Sequence, residues 1–352
     1  MRRVAGGSLC ALLVTVCVVS ALGSDSPNVR GRPVQAADCL HRGDAAPRMG
    51  ARRAAHGRDP DDLSAGQVAA MLDDLKRTLL HRYGTADERR VESALRTRGR
   101  LVIPVRFHAL SGGRRGRVPA RAVRRQISTL NAAYAGRWGG ADTGVRFRLA
   151  GFDVTDNARW FHHPQRYENR IKTRLRRGGP GTLNVFTAAV GQDVLGFSTF
   201  PQWYGEKPRL DGVVVDYRSL PDGAYRRFDR GYTAVHEIGH WLGLFHTFEN
   251  GCASPGDAVA DTPYEAEPAA GCPYARDTCP QRGADPVHNF MNYGWDACMR
   301  EFTAGQGRRI RAAWAAYRSP RRRADLAGRD RSTSVDHGTG GGVAARSVGG
   351  AR

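Results

Sequence analysis

Three histidines and a glutamate fall together in one stretch of the chain, His236-Glu237-Ile238-Gly239-His240-Trp241-Leu242-Gly243-Leu244-Phe245-His246. Residues four apart on a helix project from the same face, so His236 and His240 can grip one cation. Glu237, beside the first ligand, can reach a water held on that cation and act as general base. Gly243 can adopt backbone angles closed to other residues, ending the helix and turning the chain back to deliver His246 as a third ligand. Three protein ligands leave a fourth position for water, the arrangement of a catalytic rather than a structural zinc. The bland reading is a chance pair of helical histidines. Requiring Gly243 and His246 as well reduces coincidence to a few in roughly 100,000 shuffled chains, which favours the metal.

Such a helix has to be carried by a scaffold, and the apolar pattern for one begins at Leu101. Residues 101–107 read as a strand, with Pro104 indicating an edge or strand end. Residues 119–138 read as a helix with Val123, Ile127, Leu130 and Tyr134 on one side, and 145–154 alternate as a half-buried strand. Two further strands are expected at 183–186 and 213–217, and a last helix at 308–317. Strands first, then a site-bearing helix and loops, indicate an α+β catalytic domain over 99–318.

Residues 1–23 have the order of a secretory signal: Arg2 and Arg3, an apolar run from Leu9 to Val19, then small residues. That run is too short to span a bilayer. Residues 24–98 hold a single helical pattern, with Leu63, Val68, Met71, Leu72, Leu75, Leu79 and Leu80 near a 3.6 period. Ser64 and Gln67 are spaced as a capping box and Gly84 as a stop. That is too little for a domain and suits a pro-segment lying on another surface. Residues 319–352, rich in Gly and Arg, read as a disordered basic tail.

The text around the histidines adds a resemblance. The long zinc signature is similar to that of the metzincin metalloproteases. Asn289-Phe290-Met291-Asn292-Tyr293 resembles their Met-turn, and Gly251-Cys252, Asp261-Thr262-Pro263, Gly271-Cys272-Pro273, Asp277-Thr278-Cys279 and Cys298-Met299-Arg300-Glu301-Phe302-Thr303 resemble the pappalysin branch. The resemblance implies a metzincin-type fold: a twisted mixed sheet with an active-site helix and a backing helix above the cleft, and an irregular C-terminal subdomain below. It implies a zinc endopeptidase acting on protein or peptide substrates, with Met291 beneath the metal and Tyr293 at the developing oxyanion. His288 is read as a structural hydrogen-bonder, because three histidines already fill the ligand set.

Four clustered cysteines in an exported chain should form two disulfides, and sequence alone leaves three pairings. The resemblance favours Cys252 with Cys279 and Cys272 with Cys298. Cys39 is then left in the pro-segment as a candidate latency switch whose thiolate would take the open position on zinc. Asp257, Asp261 and Glu265, four apart in a loop, are candidate Ca²⁺ ligands, and a solvated acidic loop is the plain alternative. Asp296 is expected at the wall of the pocket behind the zinc, where a carboxylate would favour Arg or Lys after the cleaved bond.

Composition pulls in another direction. The chain has 54 Lys+Arg against 34 Asp+Glu, net +20, which by itself suggests nucleic acid or another anionic partner. Only three of the basic residues are Lys, so the surplus Arg reads as coding bias as much as a selected surface. Residues 99–235 carry 24 basic and 10 acidic residues, whereas 236–301 carry 3 and 10. The segment bearing the chemistry is therefore acidic, suited to divalent cations and basic peptide side chains. A secreted basic binding module with a vestigial metal site is the alternative from a different class, and a zinc hydrolase of non-peptide amides is a third. No specific nucleic-acid partner and no membrane span are expected. Loose association of the Arg-rich flanks with an anionic cell surface is the most the charge supports.

Overall fold

Two long parallel strands form one end of a five-stranded sheet. β1 (Leu101–Ser111) turns the fully buried Ile103, Val105, Phe107 and Ala109 to one face, with the period of two that a strand imposes. β2 (Val145–Asp156) pairs with it in parallel, with one register shift between Val105 and Arg106. β3 (Leu183–Ala188), β4 (Gly196–Phe197) and β5 (Val213–Asp216) complete the order β2-β1-β3-β5-β4, in which only β4 is antiparallel. The computed structural model describes residues 62–96, 99–191 and 194–319. The expected signal peptide, Cys39 with the first part of the pro-segment, and the basic tail from 320 onward lie outside the described residues.

The edge position expected from Pro104 is corrected: β1 lies between β2 and β3. The proline is tolerated because β3 pairs with β1 only from Val105 onward, so Pro104 has a strand neighbour on one side alone.

Helices cover both faces of the sheet. On one, α3 (Ala120–Tyr134) and α6 (Tyr232–Trp241) pack Val123, Leu130, Tyr134, Val235, Ile238 and Trp241 into a core with Ile103, Val105, Phe107, Val213 and Val215. On the other, α4 (Ala158–His162) and α5 (Pro164–Leu175) bring Phe161 and Ile171 against Leu110, Phe186 and Val214. Neither of these two helices is legible in the sequence. α5 is dominated by charged and polar residues, and its apolar stripe of Tyr167, Ile171 and Leu175 is too narrow to stand out.

Upstream, α1 (Ala65–Tyr83) has the expected capping box of Ser64 and Gln67, and Gly84 closes it in a left-handed conformation. α2 (Glu88–Arg96) follows after a short turn. The surface this pair covers belongs to the chain itself. Leu75, Leu79 and Val91 pack on Ala312, Ala315 and Ala316, which lie in α7 (Ala304–Ala313) and the π-helical turn Trp314–Arg318. Val68 and Met71 pack on Phe200 and Phe245. Polar ties flank the apolar seam: Arg309 donates to Glu88 at 2.6 Å and Tyr317 to Asp74 at 2.8 Å.

Between Leu242 and Thr303 the chain forms no named helix or strand. Two disulfides cross this segment, Cys252–Cys279 and Cys272–Cys298. The result is the α+β architecture expected: a mixed sheet and its helices above, and an irregular segment below.

Candidate active site

α6 presents His236, Glu237 and His240 from a helix whose every residue is buried. Its start is fixed from α3, where Gln126 donates to the Gly231 carbonyl and the Tyr134 hydroxyl to that of Val235. At its end the Trp241 indole N–H donates to Asp211 at 3.0 Å, and Arg318 lies over the Trp241 ring, 3.5 Å from its centre. Ile238 and Trp241 are fully buried, and burying side chains of this size contributes about 1.5–3 kcal/mol each. Gly243 then takes φ +96°, and the chain reverses within three residues to His246.

The three imidazoles converge. His240 Nε2 lies 3.1 Å from the Nε2 atoms of both His236 and His246. Among the described residues they are the only group of three or more His, Cys, Asp or Glu whose ligand atoms lie within 4.8 Å of one another. The opposite ring nitrogens are engaged: His236 Nδ1 donates to the Phe290 carbonyl at 2.7 Å and His240 Nδ1 to that of Leu244 at 2.9 Å. His246 Nδ1 faces Glu249 at 3.7 Å. Such partners fix the tautomer that leaves Nε2 with its lone pair. Burial, reinforced by His246, pushes the pKa of His236 down to about 3 and that of His240 well below its usual value. Three converging imidazoles are the donor set that zinc takes in catalytic sites.

Met291 lies directly beneath α6, in the space left by Gly239, where a Cβ would meet the Met291 sulfur. Tyr293 Oη is 3.0 Å from His246 Nε2. The turn is held by Asn289, which accepts from the Met291 N–H and exchanges hydrogen bonds with Gln306 at the start of α7. His288 Nδ1 donates to the Cys298 carbonyl, the structural role expected of it. The two disulfides have the pairing that the resemblance favours.

The three candidate calcium carboxylates do not form one centre. Asp261 caps α7, accepting from Thr303 Oγ1 and the Gly305 N–H. Glu265 is fully buried and accepts from Thr247 and Asn292. Asp257 is buried apart from water, accepts from the Val259 N–H, and burial raises its pKa to about 7. Asp296 is also buried and accepts from the Arg230 N–H just before α6; burial raises its pKa to about 7 as well.

Sequence reasoning missed Gly196. This edge-strand glycine sits over the general-base candidate, and a Cβ there would be 2.8 Å from Glu237 Cγ and Oε1. No sequence signal marks it, because the two strand residues of β4 are too few for a pattern. Phe200, whose ring lies 5.2 Å from that of His240, was missed for the same reason.

Comparison with known proteins places this geometry. The profile of the Peptidase_M43 family, described as pregnancy-associated plasma protein-A, matches residues 193–315. An extracellular metalloprotease of Arthroderma benhamiae is 37% identical over 229 residues, which cover 63% of this chain and 75% of that protein. The chain belongs to the M43 metalloproteases. A second relative, an extracellular metalloprotease of Podospora anserina, is 40% identical over 214 residues, 60% of this chain and 70% of that protein. Among solved structures, mature mirolysin of Tannerella forsythia in complex with a cleaved peptide matches with TM-score 0.54 and 27% identity, over 63% of this chain and 99% of that one. A promirolysin variant matches with TM-score 0.57 and 25% identity, over 74% of this chain and 96% of that one. As an M43 member the protein is a zinc metalloendopeptidase, and the binding-module alternative is not favoured. No helix of the described residues is long and apolar enough to cross a membrane.

Proposed function

We propose that this M43 protease is secreted and cleaves peptide bonds with Glu237 as general base, His236, His240 and His246 as zinc ligands, and Tyr293 as oxyanion donor. The observation that carries this reading is the convergence of three Nε2 atoms whose rings are oriented from behind, with Glu237 on the same buried helix. Zinc in that set supplies Lewis acidity and an acidified water. Glu237 accepts the proton of the attacking water and returns it to the leaving amine. Tyr293, beside the third ligand, gives a hydrogen bond from its hydroxyl to the carbonyl oxygen as charge develops there. Met291 supports the helix from below, and the Asp296 carboxylate, close to the start of α6, selects Arg or Lys after the scissile bond.

The chain divides in this reading into a signal peptide (1–23), a pro-segment (24–98), the catalytic domain (99–318) and a basic tail (319–352). Support for the pro-segment comes from the two mirolysin comparisons. The share of this chain that is matched rises from 63% with the mature form to 74% with the pro-form, a gain comparable in length to residues 62–96. In this reading α1 and α2 belong to the pro-segment, and the Cys39 thiolate would take the open position on the metal. The Arg-rich flanks associate loosely with anionic surfaces.

The test is casein cleavage by purified protein before and after chelation, beside Glu237→Ala. Activity lost on chelation, restored by zinc and absent from the variant is expected. Full activity in Glu237→Ala would overturn the mechanism.

A further inference from the structure

Glu265 lies 19 residues beyond His246, in a segment without regular structure, yet its side chain has no exposed surface. Its neighbours come from the two segments that complete the site. Thr247, next to the third histidine, donates its hydroxyl to Oε2 at 2.9 Å. Asn292, between Met291 and Tyr293, donates its amide to Oε1 and Oε2 at 3.0 and 2.8 Å. A carboxylate taken wholly out of water is costly unless its lone pairs are matched, and here the matching groups are those of the site's own supporting chain. Arg276 adds its charge at 3.6 Å and is itself held by Asp285 at 3.2 Å.

The other side of Asn292 is equally engaged, its Oδ1 accepting from the N–H groups of Ala269 and Tyr293. The Thr247 N–H donates to the Met291 carbonyl at 3.2 Å. Neither segment belongs to a helix or sheet that would set their separation. We propose that Glu265 is a positioning residue of the active site: one carboxylate that sets the distance between the segment bearing the third zinc ligand and the segment bearing Tyr293. The 3.0 Å approach of Tyr293 Oη to His246 Nε2 is the quantity it holds. Outer partners of ligands commonly change metal affinity or activity about 10–100-fold when removed.

This inference rests on the zinc-protease reading, and the experiment separates the two. In the full chain, Glu265→Ala is compared with wild type, with Thr247→Val, and with the exchanged pair Glu265→Gln plus Asn292→Asp. The exchange reverses donor and acceptor across the same contact and leaves Asn292's backbone acceptor role to Asp, though the bond from the Asn292 amide to the Pro286 carbonyl is lost, so the recovery expected is partial. Readouts are kcat and KM on a peptide, zinc retention against a competing chelator, and the melting temperature of the metal-free protein. Expected are a fall in kcat of about 10–100-fold with KM changed much less, faster zinc loss in Glu265→Ala, and partial recovery of both in the exchanged pair. Wild-type kcat and zinc retention in Glu265→Ala would overturn the proposal, as would an exchanged pair no better than Glu265→Ala. Should Glu265→Ala fail to fold, the exchanged pair and Thr247→Val still decide. If wild type itself neither binds zinc nor cleaves peptide, the functional reading fails instead.

Discussion

The site is assembled from two regions held by different physics. His236, Glu237 and His240 ride on α6, whose place is set by apolar burial against α3 and the sheet. His246, Met291 and Tyr293 lie in chain without helix or strand, set by two disulfides, capping contacts and buried polar side chains. Apolar burial is spread over many contacts, so the helix half tolerates small losses. Polar contacts are few and directional, so the irregular half depends on individual bonds. The two regions touch where Met291 enters the space left by Gly239 and where Tyr293 approaches His246.

The largest expected effect breaks the helix half at the close approach of β4 to Glu237. Gly196→Ala places a methyl group where Glu237 now sits, so the carboxylate must move. Activity should fall by roughly 10²–10⁴, the usual worth of a positioned general base, with zinc content near wild type. Peptide hydrolysis and metal analysis on the same preparation check this; unchanged kcat would show that Glu237 has room to spare.

What the sequence made legible follows the same division. His236, Glu237, His240 and His246 could be read because helical spacing converts directly into geometry, and Gly243 marked the turn. The four strands that carry a run of apolar residues could be read, as could α1 with both its caps. β4 could not, since two residues show no period, and α5 hid behind its charges. Pro104 misled because the sheet neighbours of β1 start at different residues. The carboxylates at 257, 261 and 265 share a regular spacing but have separate duties, because in an irregular loop four residues imply no common direction. Glu265 acquires its role only from the long-range approach of Thr247 and Asn292, which no local pattern announces.

The next effect breaks the irregular half while sparing the other. Replacing Cys272 and Cys298 by Ser opens the link that ties residue 272 to the chain just beyond the Met-turn. Removal of a native disulfide of this kind costs about 2–5 kcal/mol. Hydrogen exchange should report faster opening in 245–303 with β1, β3 and α6 still protected. Uniform loss of protection would mean that the two regions unfold as one.

A smaller effect concerns Asp257. Burial raises its pKa to about 7, with Arg309 and the Val259 N–H opposing that rise. The folded chain therefore holds a proton that the unfolded chain releases near pH 4. The stability from this group is full below about pH 4 and is lost as pH rises through about 7. Asp257→Asn should flatten that slope and raise stability at pH 8 by roughly 1–3 kcal/mol. If Asp257 instead holds Ca²⁺, the variant will be less stable than wild type at pH 8 in calcium, and thermal melts across pH with and without the ion separate the two.

The smallest effect sharpens the junction between the regions, at Asp296. Its carboxyl receives the Arg230 N–H from the chain leading into α6, while Asp229, Arg230 and the Tyr232 backbone surround it. Burial, with Asp229 adding to it, raises the pKa to about 7, so the group gains charge as pH rises through neutrality. If this carboxylate selects Arg or Lys after the scissile bond, the ratio of kcat/KM for an Arg peptide over a Leu peptide should rise roughly tenfold between pH 6 and 8, about 1.4 kcal/mol. Any pH dependence of the chemical step itself acts on both peptides alike and cancels in the ratio. Asp296→Asn should leave the ratio flat. A ratio that rises equally in the variant would assign the preference to another group and leave Asp296 as a tie between the two regions.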